Sequence, residues 1–204
     1  MPRLDDQIAF LLTCDHLKRV NRTTRLHDDS RVENSAEHSW HVALMALTLG
    51  EYAPAGTNLN RVVELLLVHD LVEIYAGDTF FDVTGDAQAH QAQREQQAAD
   101  RLFAVLPDDQ RGHWQGLWQE FEARQSPEAR FARAIDALQP MLLSWGAGGV
   151  GCTDRHPDLT RERLLRLKQS SLEAFPALWS YAECLLDAAV DAQILPTEAL
   201  MVSR

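Results

Sequence analysis

The segment 61–78 is the feature that most constrains how this chain can fold. Its valine, leucine and isoleucine side chains point in almost every direction around a helix, which predicts a largely buried helix over about 58–77. The same segment carries His69, Asp70 and Glu73. A buried carboxylate is costly unless it is paired, and residues three or four apart share one helix face. We therefore expect these three side chains to converge on one site.

Imidazole and carboxylate groups together suit a divalent transition ion such as Mn, Co, Fe or Zn. His38 is a candidate partner, because it lies in the first turn of a second predicted helix over about 35–53, capped by Asn34 or Ser35. Asp136 is another, an acid among apolar residues of a later helix. Taken alone, each residue also fits an ordinary buried histidine or a salt-bridged acid. His41 either chelates beside His38 or covers the helix surface.

Helical periodicity recurs along the whole chain, and no convincing strand pattern is present, so we predict an all-α fold of about seven to nine helices. We expect one domain over 1–204, with a metal-site core over about 10–145 and C-terminal helices over about 160–195 packed on it. Caps and prolines place helix starts at several points: Asn58, Pro107, Ser126-Pro127, Thr160 and Pro176. The glycine-rich stretch 146–158 is predicted to be a loop, because no strand precedes it as a dinucleotide site requires.

The composition excludes several classes of function. The 30 acidic and 19 basic residues give a net charge of −11, which argues against a protein that binds nucleic-acid polymers. No segment is apolar enough to span a membrane, and no signal peptide precedes the first helix, so we expect a cytoplasmic protein. The three cysteines are widely separated and are predicted to be free thiols (Cys14, Cys152 and Cys184).

The ordered set His38, His69-Asp70 and Asp136 resembles the H…HD…D signature of the HD-domain superfamily of metal-dependent phosphohydrolases. Three flanking stretches, 17–23, 33–39 and 68–78, are similar to the 5′-deoxynucleotidases and the HD domain-containing protein 2 family. The resemblance covers about residues 10–145.

The resemblance implies a helical fold, usually a homodimer, and hydrolysis of deoxynucleoside 5′-monophosphates with one divalent ion of Mn, Co, Fe, Zn or Mg. It implies metal ligation by four residues (His38, His69, Asp70 and Asp136). By the same match Arg22 holds the phosphate, and Glu73 and Asp78 act in proton transfer. Arg22 also lies in a local basic cluster over 18–25, and the guanidinium fork suits phosphate. In well-known bacterial relatives a tryptophan follows the arginine. Here Thr23 follows, which leaves selectivity between ribose and deoxyribose open.

Two alternatives remain at this point. A dinuclear HD phosphodiesterase or oxygenase would need extra histidine ligands, for which His90 and His113 are the candidates. A non-catalytic helical protein with a structural metal would not need Glu73 and Asp78. The aromatic residues over 114–121 are predicted to pack on a core or a dimer face rather than to stack on bases.

Overall fold

The computed structural model describes residues 2–78 and 86–201. Within them lie eight helices of ten or more residues, two four-residue helices, two short 3₁₀ turns (Asp15–Arg19 and Gly50–Tyr52) and a small sheet. In chain order the helices and strands are α1 (Pro2–Cys14), β1 (Asn21–Arg25), β2 (Val32–Asn34), α2 (Ser35–Thr48), α3 (Leu59–Val68), α4 (Glu73–Ala76), α5 (Asp86–Phe103), α6 (Asp108–Ala123), α7 (Pro127–Trp145), α8 (Arg161–Leu172), α9 (Pro176–Asp191) and α10 (Glu198–Met201). The predicted all-α class is confirmed.

Local capping explains where several helices begin. The Asn34 side chain accepts a hydrogen bond from the Glu37 backbone N–H, and the Glu37 carboxylate accepts one from the Asn34 backbone N–H, forming a capping box that starts α2. Asn58, Ser126 and Thr160 cap α3, α7 and α8 in the predicted positions. Helix α2 ends at Thr48 rather than near residue 53, because a 3₁₀ turn follows it.

The absence of strands was predicted wrongly. Strands β1 and β2 pair antiparallel, with Asn21 opposite Asn34 and Arg25 opposite Val32, and the register shifts between these pairs. The pair forms a short hairpin whose second strand leads directly into α2. No alternating pattern marks it, because β1 consists only of polar and charged residues and β2 has three residues.

Helix α7 lies at the centre of the structure and packs against α2, α3, α6, α8 and α9. Phe131, Ile135 and Leu138 on this helix are almost completely buried. The hydrophobic core continues from Phe10 in α1 to Leu195 beyond α9. Helix α7 therefore joins the elements that carry the predicted site residues to the C-terminal helices. In the described part of the chain, no helix combines the length and apolar character needed to cross a membrane.

Candidate metal centre and active site

Three of the predicted metal ligands meet in the interior. His38 lies on α2, His69 directly follows α3, and Asp136 lies on α7; one ligand atom from each lies within 4.8 Å of the others. The His38 Nε2 atom is 3.0 Å from Asp136 Oδ1, and the His69 Nε2 atom is 3.8 Å from the same oxygen. Both imidazoles are buried, so the three groups form a compact set of nitrogen and oxygen donors.

Asp70, the fourth predicted ligand, lies beside this set. Its Oδ1 atom is 3.0 Å from His69 Nε2, and its Oδ2 atom is 3.9 Å from His38 Nε2. The same Oδ2 accepts a hydrogen bond from Arg22 at 2.9 Å. Burial alone would raise the pKa of Asp70, but His69, Arg22 and His38 outweigh it and lower the pKa below its ordinary value. Asp70 is therefore held as an anion next to both imidazoles.

The hydrogen bonding of His69 indicates that a cation belongs in this set. The His69 Nδ1 atom lies 2.8 Å from the Leu66 carbonyl oxygen, which can only accept, so Nδ1 carries the proton of the neutral ring. The Nε2 lone pair then faces the Asp70 carboxylate, and this buried nitrogen has no hydrogen-bond partner among the described residues. Two acceptors that face each other need either a proton or a metal ion between them. The donor set, two imidazoles and carboxylates, fits a divalent transition ion.

His38 shows the same preference for positive charge. Burial and Arg22 both act to lower its pKa, yet hydrogen bonding to Asp136 and Glu33 outweighs them and raises the pKa to about 9. The pKa of Asp136 falls well below its ordinary value, although burial opposes this, mainly because of His38 and Arg133. The site thus stabilises positive charge at His38 and negative charge at Asp70 and Asp136.

Arg22 on β1 lies against the metal-ligand set. Its Nη1 atom donates to Asp70, and its Nε atom is 3.6 Å from the buried Glu33 carboxylate. Burial disfavours the charged guanidinium, but the surrounding carboxylates outweigh it and raise the pKa of Arg22. The hairpin, which the sequence analysis missed, therefore supplies the buried cation. Of the basic residues over 18–25, Lys18 is by contrast exposed and paired with Asp15.

Glu73 and Asp78 are held by separate contacts on the same side of the site. Ser35 Oγ donates to Glu73 Oε2 at 2.6 Å, and the Thr23 backbone N–H donates to Asp78 Oδ2 at 3.2 Å. Burial, and then the negative charges of Asp70 and Asp78, raise the pKa of Glu73 to about 10. Both carboxylates line one cleft with Arg22, His69 and Asp136.

The predicted continuous helix over 58–77 is wrong. Helix α3 ends at Val68, residues 69–72 form a turn, and α4 begins at Glu73. The Leu71 N–H bonds to the Val68 carbonyl, three residues back, so the backbone tightens at this point. Gly77, with φ of 77°, terminates α4 where a helix end was expected. The three side chains still meet, but through this turn rather than along one helix face.

The cleft beside the metal-ligand set has a volume of about 560 Å³, a size typical of small-molecule sites. Part of its wall is formed by α8, which contributes Arg166 and the almost fully buried Lys168. Arg124 and Arg133 also line it. Sequence reasoning missed these cations, because charged residues on an amphipathic helix give no sign of which ones face inward.

Two further buried polar residues, Glu33 and Gln139, were also missed. Gln139 interrupts the apolar face of α7, and this polar residue at a buried helical position was a usable signal. His41 contacts Gln139 through its Nδ1 atom at 3.1 Å. Among the described residues, the group that could hold a metal ion consists of His38, His69 and Asp136 and does not include His41. His90 and His113 are exposed.

Two aromatic residues of α6 pack in the core, as expected, and both also line the cleft. Trp118 and Phe121 are buried in the core, and the Phe121 ring lies 4.8 Å from the His69 ring. Phe121 therefore packs directly against a predicted metal ligand.

The stretch 146–158 contains neither helix nor strand, as predicted.

Comparison with known proteins identifies the relatives of this arrangement. A 5′-deoxynucleotidase HDDC2 from Danio rerio is 31% identical over 141 residues, which cover 68% of this chain and 68% of that protein. The human 5′-deoxynucleotidase HDDC2 is 31% identical over 136 residues, covering 66% of this chain and 65% of the human protein.

The solved structures give a closer match. A crystal structure described as a "predicted metal-dependent phosphohydrolase" from Magnetospirillum magnetotacticum superposes with a TM-score of 0.83 at 42% identity, covering 96% of this chain and 100% of that one. The sequence profile of the HD domain matches residues 14–179, which include every predicted site residue. This chain belongs to the HD domain family.

Proposed function

We propose that this protein hydrolyses nucleoside 5′-monophosphates, including deoxynucleotides, to a nucleoside and phosphate with one divalent metal ion. The protein is an enzyme, a hydrolase similar to 5′-deoxynucleotidases. The observation that carries the proposal is the meeting of two imidazole Nε2 atoms and the Asp136 carboxylate within 4.8 Å, beside the buried Arg22. A metal-binding set next to a buried guanidinium suits a small phosphate ester.

The metal-binding role falls to His38, His69, Asp70 and Asp136. A divalent ion bound there would lower the pKa of a coordinated water and offset the charge of a phosphate. The protein groups prepare this position in two ways. Their hydrogen bonds leave imidazole lone pairs directed at the centre, and the low pKa values of Asp70 and Asp136 keep both carboxylates ionised.

Arg22 is proposed to bind the phosphate. Its side chain is 13% exposed and faces the cleft, while Asp70 and Glu33 hold the guanidinium in place. A guanidinium can make two parallel hydrogen bonds to phosphate oxygens, and a fixed side chain loses little entropy when it does so. Because Arg22 also touches Asp70, the phosphate would be held next to the metal-binding set.

Glu73 and Asp78 are proposed to move the protons of the reaction. One accepts a proton from the attacking water, and the other donates one to the leaving 5′ oxygen. Ser35 fixes the orientation of Glu73, and the backbone of Thr23 fixes that of Asp78. The pH–rate profiles of Glu73→Gln and Asp78→Asn assign the two roles, since the variant lacking the base loses the acidic limb and the variant lacking the acid loses the basic limb.

The central test is a phosphate-release screen over ribo- and deoxynucleoside 5′-monophosphates with Mn, Co, Mg and Zn. We expect turnover by the wild type and at least a 100-fold loss in Asp136→Asn, which removes one ionised ligand. Asp187→Asn, on the exposed side of α9, is the control and should keep full activity. The absence of turnover with every substrate and metal would refute the proposal.

The alternative functions predict different results. A dinuclear enzyme should bind two ions per chain, whereas the exposed positions of His90 and His113 favour one. A non-catalytic protein with a structural metal should show no turnover. Metal content by elemental analysis and the activity of Asp70→Ala distinguish these cases. Turnover that persists in Asp70→Ala would place catalysis outside the described site.

We also propose that two copies of the chain associate through α2. Trp40, Leu44 and Leu47 are spaced along one face of this helix and are 64%, 47% and 56% exposed. Light scattering after size-exclusion chromatography should give a dimer for the wild type and a monomer for Leu44→Glu. Val150→Glu, an exposed position on the loop after α7, should remain dimeric.

A cytoplasmic location remains a prediction, supported by three free cysteines.

A further inference from the structure

Gln139 is an amide in the interior of α7 that none of the proposed chemical steps uses. It is completely buried and lies one helical turn after Asp136. Its Oε1 atom is 3.2 Å from His38 Nδ1, and its Nε2 atom is 2.7 Å from Glu33 Oε1 and 3.1 Å from His41 Nδ1. A buried amide without partners would be costly, and here both ends of the amide are in contact with polar groups.

These contacts fix the position of each hydrogen. A carboxylate oxygen accepts hydrogen bonds, so the Gln139 nitrogen, not its oxygen, faces Glu33. The second N–H of the amide donates to His41 Nδ1, because burial lowers the pKa of His41 and favours its neutral ring. The Gln139 oxygen must then accept from His38, which places the proton of His38 on Nδ1. In the neutral ring, which is the form that binds a metal, the His38 Nε2 lone pair then faces Asp136.

We infer that Gln139 is a positioning residue that holds His38 in the tautomer and ring orientation needed to bind the metal. The inference rests on the proposed metal site. Histidine ligands commonly donate their second ring N–H to a fixed acceptor, and loss of such acceptors weakens metal binding 10- to 100-fold. For His69 the acceptor is the Leu66 carbonyl; for His38 it is the Gln139 side chain.

The network also reaches the proposed phosphate-binding residue. Glu33 Oε2 lies 3.6 Å from both Arg22 Nε and His38 Nδ1, while Glu33 Oε1 accepts from Gln139. Glu33 thus orients Gln139 on one side and Arg22 on the other. A substitution at Gln139 that displaces Glu33 would therefore also change the position of Arg22.

The first test compares Gln139→Leu with the wild type. Leucine fills a similar volume but cannot accept from His38, so cobalt titration of the metal-depleted protein should show 10- to 100-fold weaker binding with an altered visible absorption spectrum. Leu138→Ala, the neighbouring core residue, is the control: it loses stability through a cavity but should keep wild-type cobalt affinity and spectrum. Equal affinity of Gln139→Leu and the wild type would overturn the inference.

The second test exchanges the amide of Gln139 and the carboxylate of Glu33. Gln139→Glu alone places two carboxylates against each other and should weaken cobalt binding at least about 10-fold. The double variant Glu33→Gln/Gln139→Glu keeps the net charge and restores a donor–acceptor pair, so affinity should return to within about threefold of the wild type. A purely structural role for Gln139 predicts no such rescue, and its absence would count against the inference.

Failure of the metal-site proposal looks different from failure of this inference. If the wild type neither binds cobalt nor releases phosphate, the proposed function is wrong. If the wild type binds cobalt and Gln139→Leu, folded by circular dichroism, binds it equally well, only the positioning role is wrong.

Discussion

Replacing Lys168 by methionine is expected to make the protein more stable at neutral pH. This lysine of α8 is only 7% exposed and lines the cleft beside the candidate metal site. Burial is the main cause that lowers its pKa from the ordinary 10.5 to about 8, with Arg133 and Arg22 acting in the same direction and Asp136 against it. At 1.36 kcal/mol per pKa unit, the difference corresponds to roughly 3 kcal/mol of stability lost at neutral pH.

The direction of the pKa shift determines the pH range in which Lys168 destabilises the folded protein. Below about pH 8 the lysine is protonated in both the folded and the unfolded chain, so the full cost of burying the charge is present. Between about 8 and 10.5 the folded protein releases the proton while the unfolded chain keeps it, and stability rises with pH. The advantage of Lys168→Met should therefore be largest at pH 7 and shrink to a small packing difference above 10.5.

Urea unfolding of metal-depleted wild type and Lys168→Met, followed by circular dichroism at pH 7, 9 and 10, measures this difference. Lys18, the only other lysine of the sequence, is exposed and provides the control, since Lys18→Met should change stability by no more than about 0.5 kcal/mol. A Lys168→Met protein no more stable than wild type at pH 7, or with a constant advantage up to pH 10, would refute the reasoning. We expect the gain to be accompanied by a raised KM, because a cleft cation is lost.

Three further predictions concern α2, the proposed catalytic carboxylate and the proposed metal binding. Asn34→Ala removes the capping box and should lower the unfolding free energy by about 1 kcal/mol in thermal melts, whereas an unchanged midpoint would contradict the capping account. Glu73→Gln should lower kcat about 100-fold or more without changing the metal content measured by elemental analysis. Because the pKa of His38 is raised to about 9, metal must displace its proton; affinity should rise with pH and level off above about 9, with proton release at neutral pH seen by calorimetry in buffers of different ionisation enthalpy. Affinity independent of pH between 6 and 9 would show that His38 is not a ligand.

The helix starts could be predicted because their causes are local. Ser126 and Thr160 cap their helices through backbone N–H groups only three residues away. The break after Val68 has a different origin, since the turn brings His69 and Asp70 against α2, α7 and the hairpin. Periodicity over 58–77 contains no information about those distant partners, and the helix therefore looked continuous.

The residues of the candidate site also form two groups: those that the sequence indicated and those that depend on distant contacts. The candidate metal ligands were indicated by ordered motifs in the sequence, and the structure brings those residues together. Lys168 and Gln139 were not foreseen, because their importance depends on which face of α8 or α7 meets the cleft. Glu33 was likewise hidden in a short polar strand, where nothing in the residue pattern shows that the carboxylate is buried.

The turn after α3 makes the backbone itself part of the candidate metal site. In an uninterrupted helix the Leu66 carbonyl would accept from the Asp70 backbone N–H; here it accepts from the His69 ring. The turn and a regular helix thus place different donors at one oxygen atom. A substitution in 69–72 that favoured regular helix would change the backbone path that carries His69 and Asp70, so an ordinary strategy for strengthening a helix would disturb the candidate metal site in this segment.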